Sequence, residues 1–236
     1  MSIEDTHPVS TSELEKQLGI EFKDPGILER AFIHRSYLNE HPKAGLEHNE
    51  RLEFLGDAVL ELVVTDYLYR NYPNPEGDLT NWRSALVKTE SLSAVAKKLD
   101  LDRFLQLSKG ESKGNERSRA LIHANSVEAM IGAIYLDQGY DAARGFVQDN
   151  IISTLSTILA EGTWVDPKSK FQEMAQEREG HTPHYKVLEE AGPDHDKTFT
   201  VGVYVGDRLC GKGQGSSKQA AQQQAAAVAL KGYKSA

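Results

Sequence analysis

Cysteine is almost missing: Cys210 stands alone among 236 residues. No disulfide can close within the chain, which fits a reducing compartment. Cys210 reads as a small apolar filler. No apolar run approaches the ~20 residues that span a bilayer. The opening "MSIEDTHPVS" has neither a basic stretch nor an apolar one, so no secretory leader is read there. A cytoplasmic protein with no membrane partner is expected. Positive charge is also short: 27 Lys and Arg face 35 Asp and Glu, a formal net charge of −8. Taken whole, that argues against a nucleic-acid partner, but the distribution weakens the objection. Residues 166–236 hold 10 basic and 9 acidic side chains, whereas 1–165 hold 17 and 26. An acidic piece is joined to a near-neutral one whose cations can cluster. With 39% hydrophobic residues, the chain is long enough for one or two domains with a real core.

Hairpin signals are missing up to about residue 160, and helical patterns stand in their place. "DPGILERAFIHRSYL" opens with Asp24 as cap and Pro25 in the first turn. "HNERLEFLGDAVLELVVTDYLYRNY" keeps helical spacing until Pro73. "GDLTNWRSALVKTESLSAVAKKL" reads as another helix, capped by Asp78 or Thr80. "SRALIHANSVEAMIGAIYLDQG" stops at Gly139, and "DAARGFVQDNIISTLSTIL" closes the block. The grammar then changes. "DPKSKFQEMAQEREG" is a helix with an Asp-Pro start and a Gly stop. "HYKVLEEAG", "KTFTVGVYVG" and "RLCGKGQG" are strand-like runs bounded by turns. "SSKQAAQQQAAAVALKGY" is an Ala-rich helix capped by Ser216 or Ser217; Ala and Gln are good helix formers, so its bias does not mean disorder. The expected architecture is an all-α domain over 1–160, a linker at 161–166, and a small α+β domain of order α-β-β-β-α over 167–236.

The longest pattern carries acids on one face. Glu50, Glu53, Asp57 and Glu61 fall within about a quarter-turn of one another at ~100° per residue. Leu52, Leu55, Val59 and Leu62 fall opposite, and Phe54 lies beside the acids. A solvated polar face is the ordinary explanation of such a row. Here the acids lack Lys or Arg at i+4, and like charges at i+4 disfavour the helix. In "HANSVEAMIG", Asn125, Glu128 and Gly132 share another face, and Gly132 would let a second helix come close. If the two helices meet, Glu53, Asp57, Asn125 and Glu128 make an all-oxygen site. Such donors suit Mg²⁺ or Mn²⁺ rather than Zn²⁺.

"HNERLEFLGDAVL" resembles the signature of ribonuclease III enzymes. The resemblance extends to "AFIHRSY", "EGDLTNWRSALV" and "VEAMIGAIYLD", and the last seventy or so residues look like a double-stranded-RNA-binding domain. It implies an all-helical endonuclease domain of the ribonuclease III fold, working as a homodimer on duplex RNA. Products would carry 5′-phosphate and 3′-hydroxyl ends with short 3′ overhangs, in processing of ribosomal precursors and messengers. The implied metal ligands are Glu53, Asp57, Asn125 and Glu128, with Asp57 and Glu128 catalytic. The cofactor would be Mg²⁺, with Mn²⁺ substituting, and no organic cofactor is implied. Glu50 and Glu76 match additional acids linked to RNA engagement, a second metal or the subunit contact. Phe54 matches an aromatic that plugs a socket on the other subunit. Glu61 matches no ligand and reads as solvated surface. His34 is expected to hold structure, and Asn49 either to cap the signature helix or to orient a ligand. No Ser, Cys or His is needed as a nucleophile. Asn125 departs from the family's usual Asp, which weakens metal binding and leaves an alternative: a catalytically weakened dsRNA-binding protein. For RNA the resemblance points to Gln172, Glu173, His195 and Lys218, with Lys212 nearby. Duplex RNA is read mainly by shape and phosphates. Gln219 stands where the family commonly has a second lysine.

Overall fold

Hydrophobic spacing and caps fold the chain into two units, Met1–Trp164 and Val165–Ala236. A computed structural model describes residues 10–162, 164, 166–193 and 197–234. The first unit is built from α1 (Ser12–Leu18), α2 (Pro25–Ala31), α3 (Arg35–Glu40), α4 (Glu50–Asn71), α5 (Glu76–Val87), α6 (Thr89–Lys98), α7 (Glu116–Gln138), α8 (Tyr140–Asn150) and α9 (Leu155–Glu161). Its only pairing of extended backbone among the described residues is a parallel bridge between Ile33 and Gln106. Asp24 accepts the Gly26 N–H and Pro25 takes the first turn of α2, as the Asp-Pro pattern predicts.

α7 is the central helix. Val127, Ala129, Met130, Ile131, Ala133 and Ile134 are all fully buried, and α4, α6, α8 and α2 pack around it. On α4 the buried positions are Leu52, Gly56, Val59, Leu60, Val63, Val64 and Leu68. Leu62, expected on the apolar face, is 57% exposed. The buried stripe is rotated toward Leu60 and Val64, leaving Leu62 at its edge.

Three expected helices are broken. "DPGILERAFIHRSYL" divides after Ala31, and His34, in extended backbone, caps α3. Thr89–Lys98 does not continue α5, because Lys88 takes an extended conformation (ψ 154°). The Ser91 hydroxyl donates to the Ala85 carbonyl at 2.7 Å, satisfying an acceptor that the break frees. Apolar spacing stays in phase across that break, so it was not visible as a boundary. α5 also starts at Glu76, after Pro75, with neither Asp78 nor Thr80 capping it. Past α8, the side chains of Asn150, Ser153 and Thr154 donate back to carbonyls of Phe146, Asp149 and Ile151. Backbone and side chain compete there, and a short three-ten turn at Ile152–Thr154 separates α8 from α9.

The second unit runs α10 (Pro167–Glu179), β1 (His184–Ala191), β2 (Thr198–Val205), β3 (Arg208–Gly215) and α11 (Lys218–Lys234). Its antiparallel sheet has the order β1-β2-β3. Asp166 caps α10 through the Ser169 N–H, and Gly180 ends it at φ 68°. Ser217, not Ser216, caps α11, accepting from the Ala220 N–H at 3.1 Å. Phe171, Val203, Val205, Ala225 and Ala229 form its core, with Cys210 packed at the edge. β3 presents Gly211, Gly213 and Gly215 to α11. A Cβ on any of them would come within 2.2–2.7 Å of that helix's backbone.

Candidate active site

Two glycines bring α4 and α7 together. A Cβ on Gly56 would lie 1.7 Å from the Glu128 carbonyl oxygen, and one on Gly132 would lie 2.3 Å from that of Leu52. Backbone meets backbone, as expected from Gly132; Gly56 is its reciprocal, which the sequence reading missed. The signal was present as a lone glycine in "EFLGDAV", one residue before an acid of the row. This crossing sets Glu53 and Asp57 of α4 against Asn125 and Glu128 of α7.

The electrostatics record that proximity. Burial first, then Asp57 and Glu53, push the Glu128 carboxyl up to about 7 from its ordinary 4.5. Burial and Glu50 raise Glu53 as well; the Asn125 amide partly offsets this by hydrogen bonding, and Asp57 adds to the rise. Glu53 and Glu128 are half-buried and Asp57 is exposed. Among the described residues no salt bridge reaches any of the three. Nor do three His, Cys, Asp or Glu side chains among the described residues already form a metal cage. The donor set nevertheless fits a hard divalent cation: three carboxylates and an amide oxygen, with an acid cluster that a cation would relieve.

The remaining acids stand differently. Glu50 is exposed and pairs with Arg35 at 3.5 Å and His48 at 3.7 Å. Glu61 is not plain solvated surface: Arg83 of α5 reaches it at 3.0 Å, tying two helices together. Glu76 begins α5, is exposed, and accepts from the Thr80 hydroxyl at 2.9 Å; neither Glu53 nor Glu128 counts it among the charges that shift them. Phe54 is 81% exposed, beside a depression of about 520 Å³ lined in part by His48, Arg51, Leu55 and Leu136.

His34 holds structure. Its Nδ1 accepts the Ser36 N–H at the start of α3, and burial lowers its pKa from the ordinary 6.5. Asn49 neither caps α4 nor faces the acids; it is buried and donates to the Ala31 carbonyl at 3.1 Å, pinning α2 to the start of α4. His123, two residues before Asn125, is buried on α7, with Nε2 2.7 Å from Asp102 and Nδ1 3.5 Å from the Ser93 hydroxyl. Ser93 and His123 are buried while Asp102 reaches the surface, and the row anchors the helix that carries the site.

In the second unit Gln172 and Glu173 are exposed on α10, Glu173 pairing with Lys170 at 3.1 Å. Lys218 opens α11, with its Nζ 2.9 Å from Glu190. Lys212 is exposed on β3. His195 lies outside the described residues.

Comparison with known proteins places both units. A ribonuclease-III-like family profile matches residues 24–155, and a double-stranded RNA binding motif matches 167–233. Ribonuclease 3 of Carboxydothermus hydrogenoformans is 49% identical over 218 residues, 92% of this chain and 93% of that one. Ribonuclease 3 of Latilactobacillus sakei is 46% identical over 225 residues, 94% and 97% of the two chains. Among solved structures, the nuclease domain of ribonuclease III from Campylobacter jejuni superimposes with a TM-score of 0.54 at 39% identity. It covers 60% of this chain and 95% of its own, and its flexibility lies in a region involved in dimer formation. Fold, site and matches define the class: a metal-dependent nuclease domain joined to a module for duplex RNA. The chain belongs to the ribonuclease III family, and its two domains are those of a double-strand-specific endoribonuclease. No helix among the described residues is long and apolar enough to cross a membrane.

Proposed function

We propose that the α4–α7 crossing binds Mg²⁺, with Mn²⁺ able to replace it, and that the chain cuts duplex RNA as a homodimer. The observation carrying this is the Gly56–Gly132 contact, which sets Glu53, Asp57, Asn125 and Glu128 face to face. When bound, the cation supplies an activated water at neutral pH and offsets charge on the leaving oxygen. Glu53, Asp57, Glu128 and the Asn125 amide oxygen would hold it. Without a counter-charge Glu128 is only about half ionised near pH 7, and it must be fully so to act as a ligand. Asp57, exposed beside it, is the other catalytic acid. Glu50 lies next to the cluster and suits RNA engagement or a second cation. Glu76 stands apart within one protomer, which favours RNA engagement or the subunit contact. Cleavage leaves 5′-phosphate and 3′-hydroxyl ends with short 3′ overhangs, and structured ribosomal and messenger precursors are the substrates. Residues 161–166 link the domains; Gln172, Glu173, His195 and Lys218 engage the duplex.

Asn125 gives a direct test. Glu53 gains a hydrogen bond from the amide, where an aspartate would repel it. Asn125→Asp should therefore cleave at roughly tenfold lower Mg²⁺, since affinity follows ligand charge. The measurement is duplex cleavage against Mg²⁺ or Mn²⁺ concentration, with an EDTA control. No metal-dependent cleavage by the wild type would sink the nuclease reading. Cleavage by Asn125→Asp alone would leave a dsRNA-binding protein.

Phe54 carries the homodimer. An aromatic 81% exposed in the protomer gains about 1.5–3 kcal/mol by burial. Phe54→Ala should weaken the dimer by about thirtyfold. Sedimentation equilibrium reads this directly, and an unchanged dimer constant rules Phe54 out of the contact.

A further inference from the structure

The end of the second unit that carries Lys218 also holds an acid. Glu190 lies near the end of β1, paired in register with Phe199 of β2. Its Oε1 is 2.9 Å from the Lys218 ammonium, which also sits 5.5 Å from the centre of the Phe199 ring. Lys197 approaches the other carboxylate oxygen at 4.0 Å. Lys218 is the one cation between Ser216 and Leu230, with Gln219 and Gln222 following it. The first turn of α11 thus has a single ammonium to offer a phosphate, and a carboxylate already holds it.

We propose that Glu190 is an intramolecular stand-in for an RNA phosphate, holding Lys218 until a duplex displaces it and so setting the affinity for RNA. The proposal rests on the reading that Lys218 contacts phosphate. An ammonium donates to a carboxylate oxygen as it does to a phosphate oxygen, so the two compete for one position. The pair is half-exposed, and such pairs add little to folding stability. Its effect falls on binding. A phosphate reaching Lys218 must break the contact and then lie close to the carboxylate it displaced. The acid lowers the net gain of the one phosphate contact at this helix start, which speeds release of cut RNA.

The test is duplex-RNA binding by the full chain, with Ca²⁺ replacing Mg²⁺ so that binding is read without turnover, between about 50 and 200 mM salt. Glu190→Gln should bind about three- to tenfold more tightly at low salt. The slope of log K against log salt should steepen by up to about 0.9, one phosphate contact. In a Lys218→Ala background Glu190→Gln should change nothing, and Glu189→Gln should leave affinity as it was. Unchanged or weaker binding by Glu190→Gln overturns the proposal. So does an equal gain without Lys218 or from Glu189→Gln, since that reports only bulk charge. A wild type that fails to bind duplex at all sinks the underlying RNA-binding reading instead, and the proposal with it.

Discussion

Glu128→Gln should abolish cleavage while making the metal-free protein more stable at pH 8. Both effects come from one carboxyl. Its pKa is raised from 4.5 to about 7, so between those values the folded chain holds a proton that the unfolded chain gives up. Stability from this group is therefore fully present below about pH 4.5 and is lost as pH rises through 7. The shift corresponds to about 3 kcal/mol without screening, and roughly half that at a site open to water. Glu53 is raised too, so the cluster titrates as a coupled set. Removing the Glu128 charge relieves its neighbours as well. Urea midpoints in EDTA from pH 5 to 8 should fall for the wild type and fall less steeply for Glu128→Gln, where burial and Glu50 still raise Glu53. Cleavage in Mg²⁺ should drop at least about a hundredfold. A variant no more stable than the wild type at pH 8 would show that the carboxylates do not crowd one another.

Gly56→Ala should be the most damaging small change in the first unit. The added methyl would meet the Glu128 carbonyl at 1.7 Å, and backbone cannot swing aside as a side chain can. Overpacking ordinarily costs 1–3 kcal/mol, and about 3 kcal/mol or more is expected here. The helices must separate, which also parts Glu53 and Asp57 from Asn125 and Glu128. Gly145→Ala is the contrast: it lies in α8 with open space around the new methyl. Helix propensity should then raise stability by about 0.5–1 kcal/mol. Thermal and urea midpoints of the two variants should move in opposite directions. A Gly56→Ala protein as stable and active as the wild type would mean that the α4–α7 contact does not set the site.

Much of this was legible because it is local or periodic. Asp24, Asp166 and Ser217 cap the helices their positions indicated. The three strands lie on the β-rich runs, and the acid row on α4 follows from a 3.6-residue repeat. What escaped depends on partners distant in sequence or on competition within a turn. Arg83 comes to Glu61 from the next helix, and Asn49 turns to a carbonyl 18 residues back. The break at Lys88 keeps the apolar phase on both sides. Glu190 and Lys218 are 28 residues apart and meet only through the folded sheet and helix. The meeting of α4 and α7 was conditional in the sequence, since one helix face cannot name its neighbour.

The alanines of "QAAQQQAAA" gain another meaning from the strand beneath them. Ala221 and Ala225 recur every fourth residue, Ala229 continues the row, and all three are fully buried. They lie over Gly211, Gly213 and Gly215, where even one extra carbon would strike backbone. Helix propensity explains why alanine is permitted there; the strand explains why little else is. A stretch of low compositional complexity is thus among the most tightly specified in the chain. Its permitted alphabet is small because two backbones have already taken the space.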